Sequence, residues 1–141
     1  MKEIKYISLK VKSILFSILL VLALLFFNCL DISAQNDTST TDEAKKFFEQ
    51  GFVFYQEGRY QEAIDSYDKA LEIDPNNADA WMKKGGALLF LQQYLESIDN
   101  FNKALEINPN STGSWILKGT ALAFLQRYQE AIDSYDKPMV I

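Results

Sequence analysis

One segment of 11 residues occurs twice in this chain without a single change. Residues 59–69 and residues 127–137 both have the sequence RYQEAIDSYDK, 68 positions apart. Residues 93–103, with the sequence QYLESIDNFNK, are a weaker copy halfway between them. The chain therefore repeats with a period of 34 residues, which is typical of stacked helical hairpins that are each too small to bury their own apolar face. This period favours a binding surface over a catalytic pocket.

The period divides the chain into three units, at residues 44–77, 78–111 and 112–141. Each unit contains two apolar series at helical spacing, separated by a turn at Gly58, Gln92 or Gln126. The sequences DPNN and NPNS close the first two units, because proline ends the preceding helix and Asn77 or Ser111 can cap the next one. We therefore predict six helices, at about residues 43–56, 60–73, 78–91, 94–107, 112–125 and 128–137.

The third unit departs from the other two. Pro138 stands where the first two units have alanine, and we expect it to end the last helix near Lys137. No polar capping helix follows, so the apolar flank with Leu122, Leu125 and Ile132 should be partly uncovered. Two explanations remain open: this end stacks on another copy or on a partner, or the sequence is a truncated remnant of a longer array.

The N-terminal third has the order of a secretory signal. Four lysines precede an apolar run from Ile14 to Phe27 that only Ser17 interrupts, and a polar stretch follows. Cleavage after Ala34 would remove residues 1–34 as a signal peptide. Residues 13–30 would alternatively serve as an uncleaved membrane anchor. In either case the positive-inside rule predicts an extracytoplasmic location for the repeats, secreted or anchored to the outer face of the membrane.

A polar segment follows the predicted leader. Residues 35–41, with the sequence QNDTSTT, contain no apolar side chain, so we predict a flexible linker over residues 35–42. Thr40 and Glu43 have the spacing of a capping box that would start the first helix near Thr41. Asn36 and Asn110 lie in Asn-X-Thr/Ser triplets and are candidate glycosylation sites if the chain is exported in a host that glycosylates.

The composition argues against most catalytic chemistry. The chain has no histidine and a single cysteine, Cys29, so the commonest general base, the commonest transition-metal ligand and cysteine-rich zinc sites are missing. We predict no enzyme activity, no catalytic residue, no cofactor and no metal. A net charge of −5 also disfavours binding to nucleic acid. Contact with a membrane is expected only through the N-terminal segment.

Residues 44–141 resemble the tetratricopeptide repeat family. The family pattern has a large apolar residue at repeat position 4, glycine at position 8 and aromatic residues at positions 17 and 24. Small residues at positions 8 and 20 let the two helices of a hairpin approach closely, and the aromatic residues fill the wedges between layers. The matching residues are Phe47, Trp81 and Trp115 at position 4, Gly51, Gly85 and Gly119 at position 8, Tyr60, Tyr94 and Tyr128 at position 17, and Tyr67, Phe101 and Tyr135 at position 24.

The resemblance implies an all-α fold, a right-handed superhelical solenoid of three antiparallel helix hairpins with a truncated last repeat. It also implies a concave groove lined by the first helix of each hairpin. The candidate groove residues are Phe48, Phe52, Tyr55, Met82, Leu89, Ile116, Thr120 and Ala123. Phe48 and Phe52 stand where family members that clamp the carboxylate end of a chaperone have lysine and asparagine, so that clamp is absent.

These observations lead to one functional prediction and one alternative. We predict a non-catalytic protein–protein interaction scaffold, exported or membrane-anchored, that binds a peptide or protein segment in a partly apolar groove. Met82 and Leu89 could instead be ordinary core residues. The alternative is a self-associating structural unit, or a remnant of a longer array, that uses its uncapped C-terminal hairpin.

Overall fold

The computed structural model describes the backbone of residues 2–137, and the side chains of residues 11–12, 14–23 and 39–137. Every regular element in this part of the chain is helical. The α-helices are α1 (Lys2–Gln56), α2 (Tyr60–Ile73), α3 (Ala78–Phe90), α4 (Tyr94–Ile107), α5 (Thr112–Phe124) and α6 (Tyr128–Asp136). The predicted all-α class is confirmed, and α2 to α6 begin and end within one residue of their predicted bounds.

The start of the first helix differs from the prediction. The sequence predicts a linker over residues 35–42 and a helix start near Thr41, whereas the structure places these residues inside α1. The physical reason is that a formed helix extends at little cost, since each polar residue of this segment loses only a few tenths of a kcal/mol relative to alanine. The segment therefore does not need an apolar face of its own to be helical.

The chain divides into two compact units, Met1–Ser39 and Thr40–Ile141. Within the side chains that are described, no helix combines the length and the apolar character needed to cross a bilayer. Much of the predicted leader, including Cys29, the cleavage position at Ala34 and the candidate Asn36, lies outside the described side chains. Pro138 lies outside the described residues altogether.

The turn inside each hairpin is built as predicted. Gly58, Gln92 and Gln126 all have positive φ angles, between 60° and 75°. The next residue donates its backbone N–H to a carbonyl five residues earlier, as in the bond of 2.9 Å from Gln93 N to Leu88 O. This arrangement is the Schellman motif, in which one left-handed residue ends a helix and reverses the chain. Two of the three turns accept glutamine at that position, at a steric cost that glycine avoids.

Between hairpins, the proline loops are tied to the following helix. Trp81 donates its Nε1–H to the carbonyl of Pro75, and Trp115 donates its own to the carbonyl of Pro109, both at 2.9 Å. Asn77 caps α3 by accepting the Ala80 N–H at 3.0 Å, and Ser111 caps α5 in the same way. Each loop of four residues therefore stops one helix and starts the next in a defined direction.

Close approach within each hairpin depends on the glycine at repeat position 8. A Cβ atom built on Gly85 would lie 2.7 Å from Cε1 of Phe101, whose ring is fully buried. Gly51 and Gly119 face the rings of Tyr67 and Tyr135 at similar distances. The sequence pattern anticipated close packing here, and the structure identifies the ring at position 24 as the group that needs the space.

Successive hairpins share their apolar core. Ile64 of α2 clusters with Ala87 and Leu88 of α3. One repeat later, Ile98 of α4 clusters with Ala121 and Leu122 of α5. The first two hairpins thus bury their second helices against the first helix of the next hairpin, which is the packing expected for a solenoid.

Candidate functional site

The predicted groove residues lie on the first helix of each repeat, in α1, α3 and α5. The structure leaves most of them partly open to solvent. Phe52 is 37% exposed and Ile116 is 46% exposed. The other six, Phe48, Tyr55, Met82, Leu89, Thr120 and Ala123, are half-buried. We call these eight residues the first-helix face.

Parts of this face are brought together by the stacking of the repeats. Met82, Leu89 and Ala123 pack against the same apolar cluster, although they come from two different repeats. Tyr55 packs against the neighbouring cluster, and its hydroxyl lies 3.4 Å from the Cβ position of Gly86. Met82 and Leu89 therefore contribute both to the core and to the surface, so neither of the two sequence-based interpretations describes them fully.

The chemistry of this face is mostly apolar. Lys83 places its Nζ 5.2 Å from the ring centroid of Phe52, a distance at which a cation is attracted to an aromatic face. Burial, and secondarily the nearby Tyr60, raises the pKa of Tyr55, so its phenol stays neutral at physiological pH. The face can therefore bury apolar side chains and offer a phenol as a hydrogen-bond partner.

The tyrosines at repeat position 24 differ in their hydroxyl partners. The Tyr135 hydroxyl lies 3.3 Å from Thr120 Oγ1, within hydrogen-bond distance. The Tyr67 hydroxyl is buried and has no hydrogen-bond partner among the residues whose side chains are described. The residue at the repeat position of Thr120 is Phe52 in the first repeat, and a phenyl ring cannot accept or donate such a bond. Burial, with a smaller contribution from Tyr55, raises the pKa of Tyr67 well above its usual range.

A ladder of stacked rings joins neighbouring repeats, and the sequence analysis did not identify it. Tyr60 stacks on Phe90 with ring centroids 4.7 Å apart, and Tyr94 stacks on Phe124 at 5.0 Å. Each pair joins position 17 of one repeat to position 13 of the next. The 34-residue period could have revealed the ladder, since both partners recur at that spacing.

An ion pair also joins two repeats. Lys84 Nζ of α3 donates to Asp68 Oδ1 of α2 at 2.6 Å, and the lysine side chain is only 13% exposed. The corresponding lysine of the third repeat is Lys118, and Asn102 stands at the position of its expected partner. Burial lowers the pKa of Lys118, and the Glu130 carboxylate opposes this effect only in part. The junction between the second and third repeats therefore lacks the ion pair that strengthens the first junction.

Asn110 is exposed in the loop between α4 and α5, so a modifying enzyme could reach it. In the part of the chain with described side chains, no group of three or more Asp, Glu, Cys or His residues has the arrangement of a metal site.

Comparison with known families identifies the repeats. The models "TPR repeat" and "Tetratricopeptide repeat" match residues 51–90, 78–111 and 100–133. The mouse protein "DnaJ homolog subfamily C member 7" is 36% identical over 55 residues, which are 39% of this chain and 11% of that protein. This chain therefore matches only about a tenth of that relative's length.

Solved structures confirm the fold. The TPR domain of Arabidopsis OM64 superposes with a TM-score of 0.70 at 23% identity, covering 72% of this chain and 84% of that one. The first TPR of Spaghetti (RPAP3), bound to the HSP90 peptide SRMEEVD, superposes with a TM-score of 0.69 at 27% identity, covering 70% and 79%.

Proposed function

This chain contains tetratricopeptide repeats across residues 51–133, and we propose that it is a non-catalytic scaffold that binds a protein or peptide segment on its first-helix face. The similar Spaghetti (RPAP3) domain is bound to an HSP90 peptide, which supports peptide binding by this fold. The observation that carries the proposal here is the partly exposed, mostly apolar first-helix face, in which Phe52 and Ile116 are the most exposed of the eight side chains.

The side chains of this face favour one class of partner. The peptide in the related structure, SRMEEVD, is acidic at its end. In this chain the two positions that would hold a terminal carboxylate carry Phe48 and Phe52, which offer no charge. We therefore propose a segment with aliphatic or aromatic anchors, whose burial would contribute about 25 cal/mol per Å² of apolar surface.

Peptide selection with the purified chain tests this proposal. Peptides from a displayed library would be selected for binding to the parent chain. The affinities of the enriched peptides for the parent chain and for Phe52→Glu would then be compared by isothermal titration calorimetry. We expect apolar anchors among the enriched peptides and at least a tenfold loss of affinity, because an ionised carboxylate would replace a ring in the contact.

Leu95→Glu provides the matched control. Leu95 is exposed on α4, the second helix of its hairpin, so this variant adds the same charge away from the first-helix face. Helical circular dichroism should be unchanged in both variants. Equal affinity of Phe52→Glu and the parent chain would refute the assignment of the site, and enrichment of acidic C-termini would refute the class of partner.

We further propose that residues 1–34 direct this scaffold outside the cytoplasmic membrane, as a signal peptide or as an anchor. The order of lysines, apolar run and polar exit supports this proposal. Expression of the full chain, followed by fractionation and mass spectrometry of its N-terminus, tests it. Recovery of the intact chain only from the cytoplasm would contradict it.

A further inference from the structure

A cleft lies between α5 and α6, on the side of the third hairpin that faces the second hairpin. Its volume is about 250 Å³. Leu122 lines the cleft and clusters with Ile98 of α4, which places the cleft at the junction between the second and third repeats. We call it the α5–α6 cleft, and it has no residue in common with the first-helix face. The residues that line it include Trp115, Lys118 and Leu122 of α5 and Glu130, Asp133 and Lys137 of α6.

Lys118 is a partly buried cation in this cleft, and it forms no ion pair with any described residue. Its counterpart in the second repeat, Lys84, donates to the carboxylate of Asp68 at 2.6 Å. One period after Asp68 the chain has Asn102, whose amide carries no charge. Burial lowers the pKa of Lys118, because the charged ammonium group loses solvation there. Lys118 therefore lacks the counter-charge that its counterpart has one repeat earlier.

The other charges at the α5–α6 cleft favour an anion. Glu130 accepts two hydrogen bonds from Arg127, at 2.7 and 2.6 Å, so its negative charge is already compensated. Lys137 adds a second cation beside Lys118. Asp133 is the other carboxylate that lines the cleft, and because it is exposed, solvent and salt screen its charge. The two lysines therefore outweigh the one exposed carboxylate.

Trp115 gives the cleft an aromatic wall. The Nζ atoms of Lys118 and Lys137 lie 5.1 and 5.9 Å from the centroid of its ring. Its Nε1–H donates to the carbonyl of Pro109, which fixes the orientation of the indole. An anionic group that reaches the lysines would thus bring the rest of its molecule against an aromatic face. Sites for drug-sized molecules have volumes of about 300–1,000 Å³, so this cleft suits a smaller ligand.

We propose that the α5–α6 cleft binds a small organic carboxylate with an aromatic body. The carboxylate of the ligand supplies to Lys118 the counter-charge that Asp68 supplies to Lys84. The ring of the ligand lies against Trp115 and Leu122. Because the cleft and the first-helix face have different residues, both sites can be occupied at the same time.

Phenylacetate is the probe for this proposal. Its binding to the full chain would be followed in N–H correlation spectra, through the indole signals of Trp81 and Trp115, the two tryptophans of the chain. The variant Trp81→Phe assigns the two signals. We expect the Trp115 signal to shift with a Kd of about 1 mM, the scale expected for a ligand of about ten heavy atoms. The Trp81 signal should stay in place, because Lys84 beside it already has a carboxylate partner.

Two related molecules separate the contributions of the charge and of the ring. Phenylacetamide has the shape of phenylacetate without its charge, so we expect it to bind at least tenfold more weakly. Acetate keeps the charge and lacks the ring, so it should also bind at least tenfold more weakly than phenylacetate. Equal affinity for phenylacetate and phenylacetamide would overturn the proposal, as would equal affinity for phenylacetate and acetate.

Variants of the full chain locate the bound carboxylate. Lys118→Met should weaken the binding of phenylacetate at least tenfold, because it removes the cation and keeps an unbranched side chain. Asn102→Asp should weaken it at least threefold, because the new carboxylate would itself pair with Lys118. Lys83→Met is the matched control, since it removes a lysine of α3 that does not line the cleft, and it should leave the affinity unchanged.

Helical circular dichroism would verify that each variant keeps its fold, and Asn102→Asp decides the matter if Lys118→Met does not fold. Unchanged affinity in Asn102→Asp would overturn the proposal, as would equal losses in Lys118→Met and Lys83→Met. Absence of a saturable Trp115 shift at ten times the expected Kd would overturn it as well. Equal shifts of the Trp81 and Trp115 signals would indicate non-specific contact and would also refute it.

Discussion

Substitution by alanine should have opposite effects on stability at two adjacent glycines of α3, Gly85 and Gly86. Gly85 faces the ring of Phe101, and a Cβ atom there would lie 2.7, 2.9 and 3.1 Å from three ring carbons. Gly86 faces Tyr55, and its Cβ would lie 3.4 Å or more from the nearest atoms, which is ordinary van der Waals contact. Gly85→Ala should therefore destabilise the fold, whereas Gly86→Ala should stabilise it.

The size of each stability change follows from two effects of opposite sign, the higher helix propensity of alanine and the overpacking that its methyl group causes. Replacing glycine by alanine in a helix interior gains about 0.5–1 kcal/mol at either position. At Gly85, overpacking against a fully buried ring costs about 1–3 kcal/mol, so we expect a net loss of up to about 2.5 kcal/mol in the free energy of unfolding. At Gly86 there is no overpacking, so we expect the free energy of unfolding to rise by about 0.5–1 kcal/mol. For a domain of this size, each kcal/mol corresponds to about 4–8 °C in Tm.

Urea unfolding monitored by far-ultraviolet circular dichroism gives both free energies of unfolding. Phe101→Leu in the Gly85→Ala background provides the second test, because a smaller side chain should relieve part of the strain and give a favourable coupling energy. Equal stability changes for the two alanine variants would refute the argument, as would strict additivity of Gly85→Ala and Phe101→Leu.

Three further predictions concern single contacts. Tyr67→Phe should raise the free energy of unfolding by about 1 kcal/mol, because it removes a buried hydroxyl without a partner. Burial raises the pKa of Tyr67, so above about pH 10 this side chain keeps its proton in the native state and loses it in the unfolded state. The free energy of unfolding of the parent chain should therefore fall as the pH rises above about 10, and that of Tyr67→Phe should fall less. Asn77→Ala should cost about 1 kcal/mol by removing the cap of α3, measured by urea unfolding. Asp68→Asn should cost roughly 0.5–1 kcal/mol in the same assay, since it leaves the largely buried Lys84 without its carboxylate.

The repeats supply a matched control for each of these. Tyr135→Phe breaks the contact with Thr120, so it should not stabilise the chain. Gln93→Ala changes an N-cap that makes no side-chain hydrogen bond, so it should be near neutral. Asp136→Asn, in the duplicated segment of α6, should also be near neutral. Equal effects of the two substitutions in any pair would contradict the prediction for that pair.

The sequence predicted the local structure closely. The bounds of α2 to α6, the turns at Gly58, Gln92 and Gln126 and the caps at Asn77 and Ser111 all follow from signals within a few residues of each position. The linker at residues 35–42 is the exception, because its polar residues gave no sign that a helix could continue through them. Helix extension depends on the segments on both sides, which composition in a short window does not describe.

What the sequence determined by itself is the repeating unit, and what the tertiary structure decided is the environment of each copy. The segment RYQEAIDSYDK forms the same kind of helix twice, yet Ile64 is buried and Ile132 is half exposed. Likewise, among the described residues the Tyr67 hydroxyl has no hydrogen-bond partner, whereas the Tyr135 hydroxyl lies within hydrogen-bond distance of Thr120. The first repeat has Phe52 at the repeat position of Thr120. Backbone conformation responds to neighbours along the chain, but burial and pairing depend on side chains that only the packed helices bring within reach.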